Sequence, residues 1–260
     1  MKATSSFQGQ SEATQWKVRG IVAAAVSIGA RMHAAKFGRR FPFWLFDLYC
    51  GSGYNDKANC LGSPIAMYEE ACRQGVSPLL HAVDIDGQSL SVLSARPQLR
   101  GRIGKDVWLH HGSNDGFWAL ARELVRLRER PQYAHGVVLF DPNNSVVDPA
   151  LLRGFAQALP GIDIVINYSG SSIKRVTGTG VTRDDLDTLL DAAGKQHWLI
   201  RRPIGAQQWS LLIGRNVRTG DFRAIGFEHL DSVAGRDLRQ TLLMTKTEIR
   251  NASGQTHLGF

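Results

Sequence analysis

Four apolar, strand-like runs follow one another along this chain, and each ends at or runs up to an aspartate: Asp47, Asp84, Asp115 and Asp141. Successive aspartates stand about 30 residues apart, the length of one βαβ unit. Crossovers of that kind bring the carboxyl ends of parallel strands to one edge of a sheet, where open α/β folds bind nucleotides. Further on, strand-like runs at 198–203 and 209–215 have too little chain between them for a parallel crossover and fit a hairpin. The pattern predicts an α/β, Rossmann-like, mostly parallel seven-stranded sheet with one antiparallel strand and helices on both faces.

The expected elements can be placed closely. A helix covers 17–36 and the first strand covers 43–49. In Gly62-Ser63-Pro64, serine suits a helix N-cap and proline the first helical position. Strands are expected at 79–85, 107–111, 136–141 and 162–168. Ser113-Asn114 offers a cap for a helix over 116–130, and another helix covers 149–159. Thr182 with Asp185 resembles a capping box for a helix ending near Ala193. A helix near 231–243 closes the chain. Residues 1–16 read as a flexible segment, 17–215 as the catalytic domain, and 216–260 as an extension packed on it.

A length of 260 residues with 43% hydrophobic and 21% charged content fits one large α/β domain with a full core. The longest apolar run near the N-terminus is far too short to span a bilayer. The first residues lack the pattern of a signal peptide, so cytoplasmic location without a membrane partner is the expectation. Cys50, Cys60 and Cys72 form no CxxC pair and read as reduced thiols, and no metal site is expected. His110 and His111 share one strand, so their rings should point to opposite faces. The net charge of +8 and pI near 9.7 favour a polyanionic partner. Basic residues scatter over several loops and helices, which suits a charged face on a folded domain.

The first strand breaks into Asp47-Leu48-Tyr49-Cys50-Gly51-Ser52-Gly53. Gly51 and Gly53 let backbone pass close to a bound molecule. The dinucleotide fingerprint requires a third glycine three residues on, opening a helix that cradles pyrophosphate. Here that position is Asp56, and the next helix begins only near Pro64. A pyrophosphate would also be repelled by the Asp47 carboxylate, whereas a cationic ligand would be attracted. S-adenosylmethionine, with an ammonium and a sulfonium, is such a ligand.

This order of motifs resembles the class I methyltransferases, whose first strand ends in an acidic residue, a small or aromatic pair, and GxG. The resemblance implies that Asp47, Tyr49, Cys50, Gly51 and Gly53 hold the cofactor, that Asp84 takes the ribose hydroxyls, and that Asp115 meets the adenine amino group. Carboxylates accept such hydrogens well. The glycine turn followed by Gly62-Ser63-Pro64-Ile65-Ala66 is similar to the three-Cys-motif partner proteins, a bacterial methyltransferase-like family, over roughly residues 15–170. Tyr49 and Cys50 stand where those proteins often carry phenylalanine and alanine.

The fourth strand ends in Asp141-Pro142-Asn143-Asn144. It resembles the catalytic motif of amino-group methyltransferases, an Asp or Asn, two prolines and an aromatic residue. An exocyclic base amine is a poor nucleophile because its lone pair is delocalised into the ring. A carboxylate and a proline carbonyl can accept both amino hydrogens and direct that lone pair toward the methyl group. Asn143 and Asn144 replace the second proline and the aromatic. Tyr168 is the candidate for the missing stacking face, while Phe117 and Trp118 read as core residues. Lys174 and Arg175, in a glycine- and serine-rich loop, are candidate phosphate contacts.

The expectation is therefore a methyltransferase using S-adenosylmethionine on an exocyclic amino nitrogen of a nucleic-acid base, with adenine N6 favoured and DNA preferred over RNA. Two alternatives stand beside it. One is a non-catalytic methyltransferase-like module that binds nucleic acid or another partner. The other is a nicotinamide-dependent oxidoreductase on a similar sheet.

Overall fold

The strand-like runs pair as the βαβ spacing requires. The structure, a computed structural model, describes residues 15, 18, 20–56, 59–142, 146–169, 183–201, 209–218 and 222–244. A π-helical turn at Val22–Ser27 runs into α1 (Ile28–Phe37), and β1 (Phe43–Asp47) follows. A short hairpin, β2 (Tyr54–Asn55) and β3 (Cys60–Leu61), then leads to α2 (Ser63–Arg73). Next come β4 (Pro78–Asp84), α3 (Gly87–Ser94), β5 (Val107–His111), α4 (Phe117–Arg126), β6 (His135–Phe140) and α5 (Pro149–Ala158). The chain continues through β7 (Ile162–Ser169), α6 (Arg183–Ala193), β8 (His197–Arg201), β9 (Trp209–Arg215), β10 (Phe227–His229) and α7 (Val233–Leu243).

The main sheet has the order β10-β8-β9-β7-β6-β1-β4-β5. β1 pairs in parallel with β4 and β6, β4 with β5, and β6 with β7. β9 lies antiparallel between β7 and β8, which is the expected reversed strand and hairpin. The seven expected strands are joined by an eighth, β10, antiparallel to β8 at the edge. Sequence reading passed over β10, three residues carrying Glu228 and His229, because so short and polar a run has no strand periodicity. The β2–β3 hairpin, two residues on each side, likewise has no periodicity to read.

Alternation along the strands divides the core between two faces. Trp44, Phe46, Val138 and Phe140 pack against Phe117, Ala121, Leu152 and Phe155 of α4 and α5, and against Leu186 and Leu242 of α6 and α7. Phe43, Leu45, Val137 and Leu139 pack against Ala30, Ile65, Met67, Leu90 and Leu93 of α1, α2 and α3. Each such side chain contributes roughly 1.5–3 kcal/mol when fully buried. His110 and His111 do diverge: His110 bonds His81 at 3.0 Å, and His111 reaches the Ile85 carbonyl at 3.1 Å. None of the three cysteines is in a disulfide. Among the described residues no helix is long and apolar enough to cross a membrane.

Candidate active site

Register brings the strand-end acids together. Asp47 pairs with Ala82 of β4 and Leu139 of β6. Asp84 and Asp141 each lie two residues further along, so all three carboxylates share one face at the carboxyl edge of the sheet. The expected convergence of Asp47, Asp84 and Asp141 is what the structure has.

Asp47 is wholly buried. The Tyr49 backbone N–H donates to its Oδ1 at 3.2 Å, and the Ser63 hydroxyl donates to its Oδ2 at 2.6 Å. Burial raises its pKa from 3.8 to about 7 against the pull of these two bonds, and Asp141 and Asp84 add to the rise. Ser63 therefore has a role other than the expected cap. Gly62 is the N-cap of α2, Pro64 sits in its first turn, and the serine hydroxyl is left free to meet Asp47.

The glycine turn is anchored on both sides. Leu48 N–H donates to Leu139 of β6, and Cys50 N–H donates to Val83 of β4. Gly51 and Gly53 have φ of 56° and 71°, the left-handed region that favours glycine. Asp84 ties the turn down from the next strand, accepting the Gly51 N–H at 2.7 Å and the Asp86 N–H at 2.9 Å. Each Asp84 oxygen keeps lone-pair capacity for a ligand hydroxyl. Gly62 N–H bonds the Gly53 carbonyl at 2.8 Å, and a β-carbon on Gly62 would lie 2.7 Å from the Gly53 carbonyl carbon. Close contact with the turn is thus the reason for glycine at position 62.

One expected cofactor contact, the Cys50 side chain, is corrected. Cys50 turns its side chain into the core under the turn, where burial pushes the thiol pKa well up, so only its backbone remains for a ligand. Asp115 is exposed and engaged with the Ser113 hydroxyl at 2.8 Å. Its neighbour Asn114 has a buried Oδ1 without a hydrogen-bond partner, beside the half-buried Tyr49. Asn114 thus offers a second acceptor next to the expected Asp115. In the sequence Asn114 carried only a helix-cap signal, and no residue pattern marked its amide oxygen as a ligand contact.

At the reacting end Asp141 is 6% exposed and accepts a 2.7 Å hydrogen bond from Asn167 of β7. Asn167, another residue the sequence did not single out, fixes that carboxylate. Its own Oδ1 is buried and unpaired. Tyr168 is corrected: it is 2% exposed and packed in the core, so it offers no open stacking face. Asn143, Asn144, Lys174 and Arg175 lie outside the described residues.

The donor set fits the cofactor expected from the turn. Carboxylates converge where a cation would relieve the strain on Asp47, lone pairs remain on Asp84, and an unpaired amide oxygen stands at the end of β5. No protein-family model matches the chain, and no curated protein matches it. Among solved structures, protein LPL1258 from Legionella pneumophila is similar at 11% identity and a TM-score of 0.52, over 79% of this chain and 88% of that one. An S-adenosylmethionine-dependent methyltransferase from Agrobacterium tumefaciens aligns more loosely, at 10% identity and a TM-score of 0.45, over 79% of this chain and 62% of that one. Spermidine synthase from Thermotoga maritima gives 10% identity and 0.43, over 89% of this chain and 76% of that one. The strand order with its reversed β9 defines a class I methyltransferase-like fold.

Proposed function

We propose that this protein is a cytoplasmic S-adenosylmethionine-dependent methyltransferase of the type its three-Cys-motif-partner resemblance implies. Its acceptor is an exocyclic amino nitrogen of a nucleic-acid base, with adenine N6 favoured and DNA preferred over RNA. The observation that carries the reading is the convergence of Asp47, Asp84 and Asp141 on one face beside a left-handed glycine turn.

When bound, the cofactor supplies an activated methyl group on a sulfonium. The chain's own residues do the rest. Asp47, ionised, faces the cationic end; Asp84 accepts ribose hydroxyls while holding the Gly51 turn; Asp115 and Asn114 accept the adenine amino hydrogens. Asp141, held by Asn167, and the Pro142 carbonyl accept both hydrogens of the target amine and set its lone pair in line. Placement in this way lowers the barrier without a strong base. The net charge of +8 supports a polyanionic acceptor.

Incubation with methyl-labelled cofactor and mixed DNA and RNA tests the reading. Label is expected on a base amine, and Asp141→Ala should reduce transfer at least about 100-fold. Cofactor binding with no transfer to any nucleic acid would instead identify the non-catalytic module.

A further inference from the structure

Away from the cofactor edge, α4 and α5 lie side by side against the Phe46–Phe140 face, with a groove of about 710 Å³ between them. Trp118, Arg122 and Arg126 line it from α4, Arg153 and Gln157 from α5, and Gln132 from the turn before β6. None of its lining residues is acidic. Arg126 shares Glu123 at 2.7 Å with both side chains more than half exposed. Arg122 and Arg153 are exposed and have no ion-pair partner among the described residues. The i, i+4, i+8 spacing of Trp118, Arg122 and Arg126 sets them along one side of α4 over about 12 Å.

Trp118 packs against the core as the sequence suggested, but only in part. It is half-buried, and a β-carbon at Gly154 would stand 2.4 Å from its indole. Glycine at that position lets the ring lie down against α5 inside the groove. Both helices start at the carboxyl edge of the sheet: Asn114 and Asp115 precede α4 after β5, and Asp148 caps α5 after β6. Trp118 and Ala150, each the second residue of its helix, therefore line the end of the groove nearest that edge.

We propose that this groove binds a single strand of nucleic acid, with its phosphates on Arg122, Arg126 and Arg153 and a base stacked on Trp118, and so leads the acceptor to the cleft. The inference rests on the nucleic-acid reading above. Arg122 and Arg126 stand about 6 Å apart along α4, and Arg153 is added from α5, a spread of cations that suits more than one phosphate of a strand and exceeds what a single small anion needs. Arginines interleaved with an aromatic face are the features that hold unpaired strands, whose bases have free π-faces. A duplex presents stacked bases that Trp118 cannot reach.

Fluorescence-anisotropy titration of labelled single-stranded DNA and RNA 16-mers across a salt series tests this, with S-adenosylhomocysteine titrated calorimetrically into the same proteins. Arg122→Gln with Arg153→Gln should weaken strand binding at least tenfold and flatten the log–log salt slope by about 1.4, roughly 0.7 per lost phosphate contact. Trp118→Leu should weaken it severalfold and leave the slope unchanged. Cofactor-product affinity and melting temperature should hold in both variants. No strand binding by the native protein, equal binding by the variants, or tighter binding of duplex or of an acidic peptide overturns the proposal. If S-adenosylhomocysteine binds and strands do not, the groove inference and the nucleic-acid substrate fail while the cofactor site stands. If strands bind through the groove and S-adenosylhomocysteine does not, the groove stands and the methyltransferase reading fails.

Discussion

Burial lifts the Asp47 carboxyl from 3.8 to about 7, and its acidic neighbours push the same way. In the unfolded chain the group titrates near 3.8, so between about pH 4 and 7 the folded state holds more protons. Stability contributed by this residue therefore falls as pH rises through that window and levels off above it. Asp47→Asn keeps the shape without the charge and should remove the fall. Urea midpoints at pH 5 and pH 8 measure it, with the variant gaining on the native protein at the higher pH. An equal change in both would contradict the assignment. His81, lowered to about 3 by burial, contributes the opposite slope, but the two proteins share it. Residue identity at the strand ends was legible, since aspartate after an apolar run signals a polar sheet edge. The unpaired amide oxygen of Asn114 was not, because its burial depends on how the segment between β5 and α4 packs.

At the scale of elements, the glycine turn and the start of α2 act as one unit. Gly62 is not in the left-handed region, so Gly62→Ala tests packing alone: its β-carbon has only the Gly53 backbone to displace. Overpacking of this kind costs about 1–3 kcal/mol. The variant should melt earlier and bind S-adenosylhomocysteine more weakly; unchanged melting and affinity would show that the turn and helix move independently. The GSP element was visible in the sequence, but its mechanics were not. Serine was assigned the cap because the residue type favours it, whereas Gly62 takes that position and frees Ser63 for Asp47. The central strands were readable from apolar runs that tertiary burial on both faces demands. β2, β3 and β10 depend on pairing partners far more than on their own composition.

Across the whole molecule, two surfaces carry the functional account: an acidic carboxyl edge suited to a cationic nucleoside, and a basic groove between α4 and α5. The overall charge of +8 hid this division, since the sequence shows the excess of cations but not where folding collects them. Arg122, Arg126 and Arg153 come from two helices and become neighbours only through the sheet order. The central claim is that carboxylates at the sheet edge grip S-adenosylmethionine. It is tested most directly by calorimetric titration of that cofactor at pH 8 into the native protein and Asp84→Asn, with NAD as the competitor ligand. The account predicts one cofactor bound per chain, affinity at least about tenfold weaker (~1.4 kcal/mol) in the variant, and no heat from NAD. Binding of NAD in place of S-adenosylmethionine, or equal cofactor affinity in the two proteins, would contradict it.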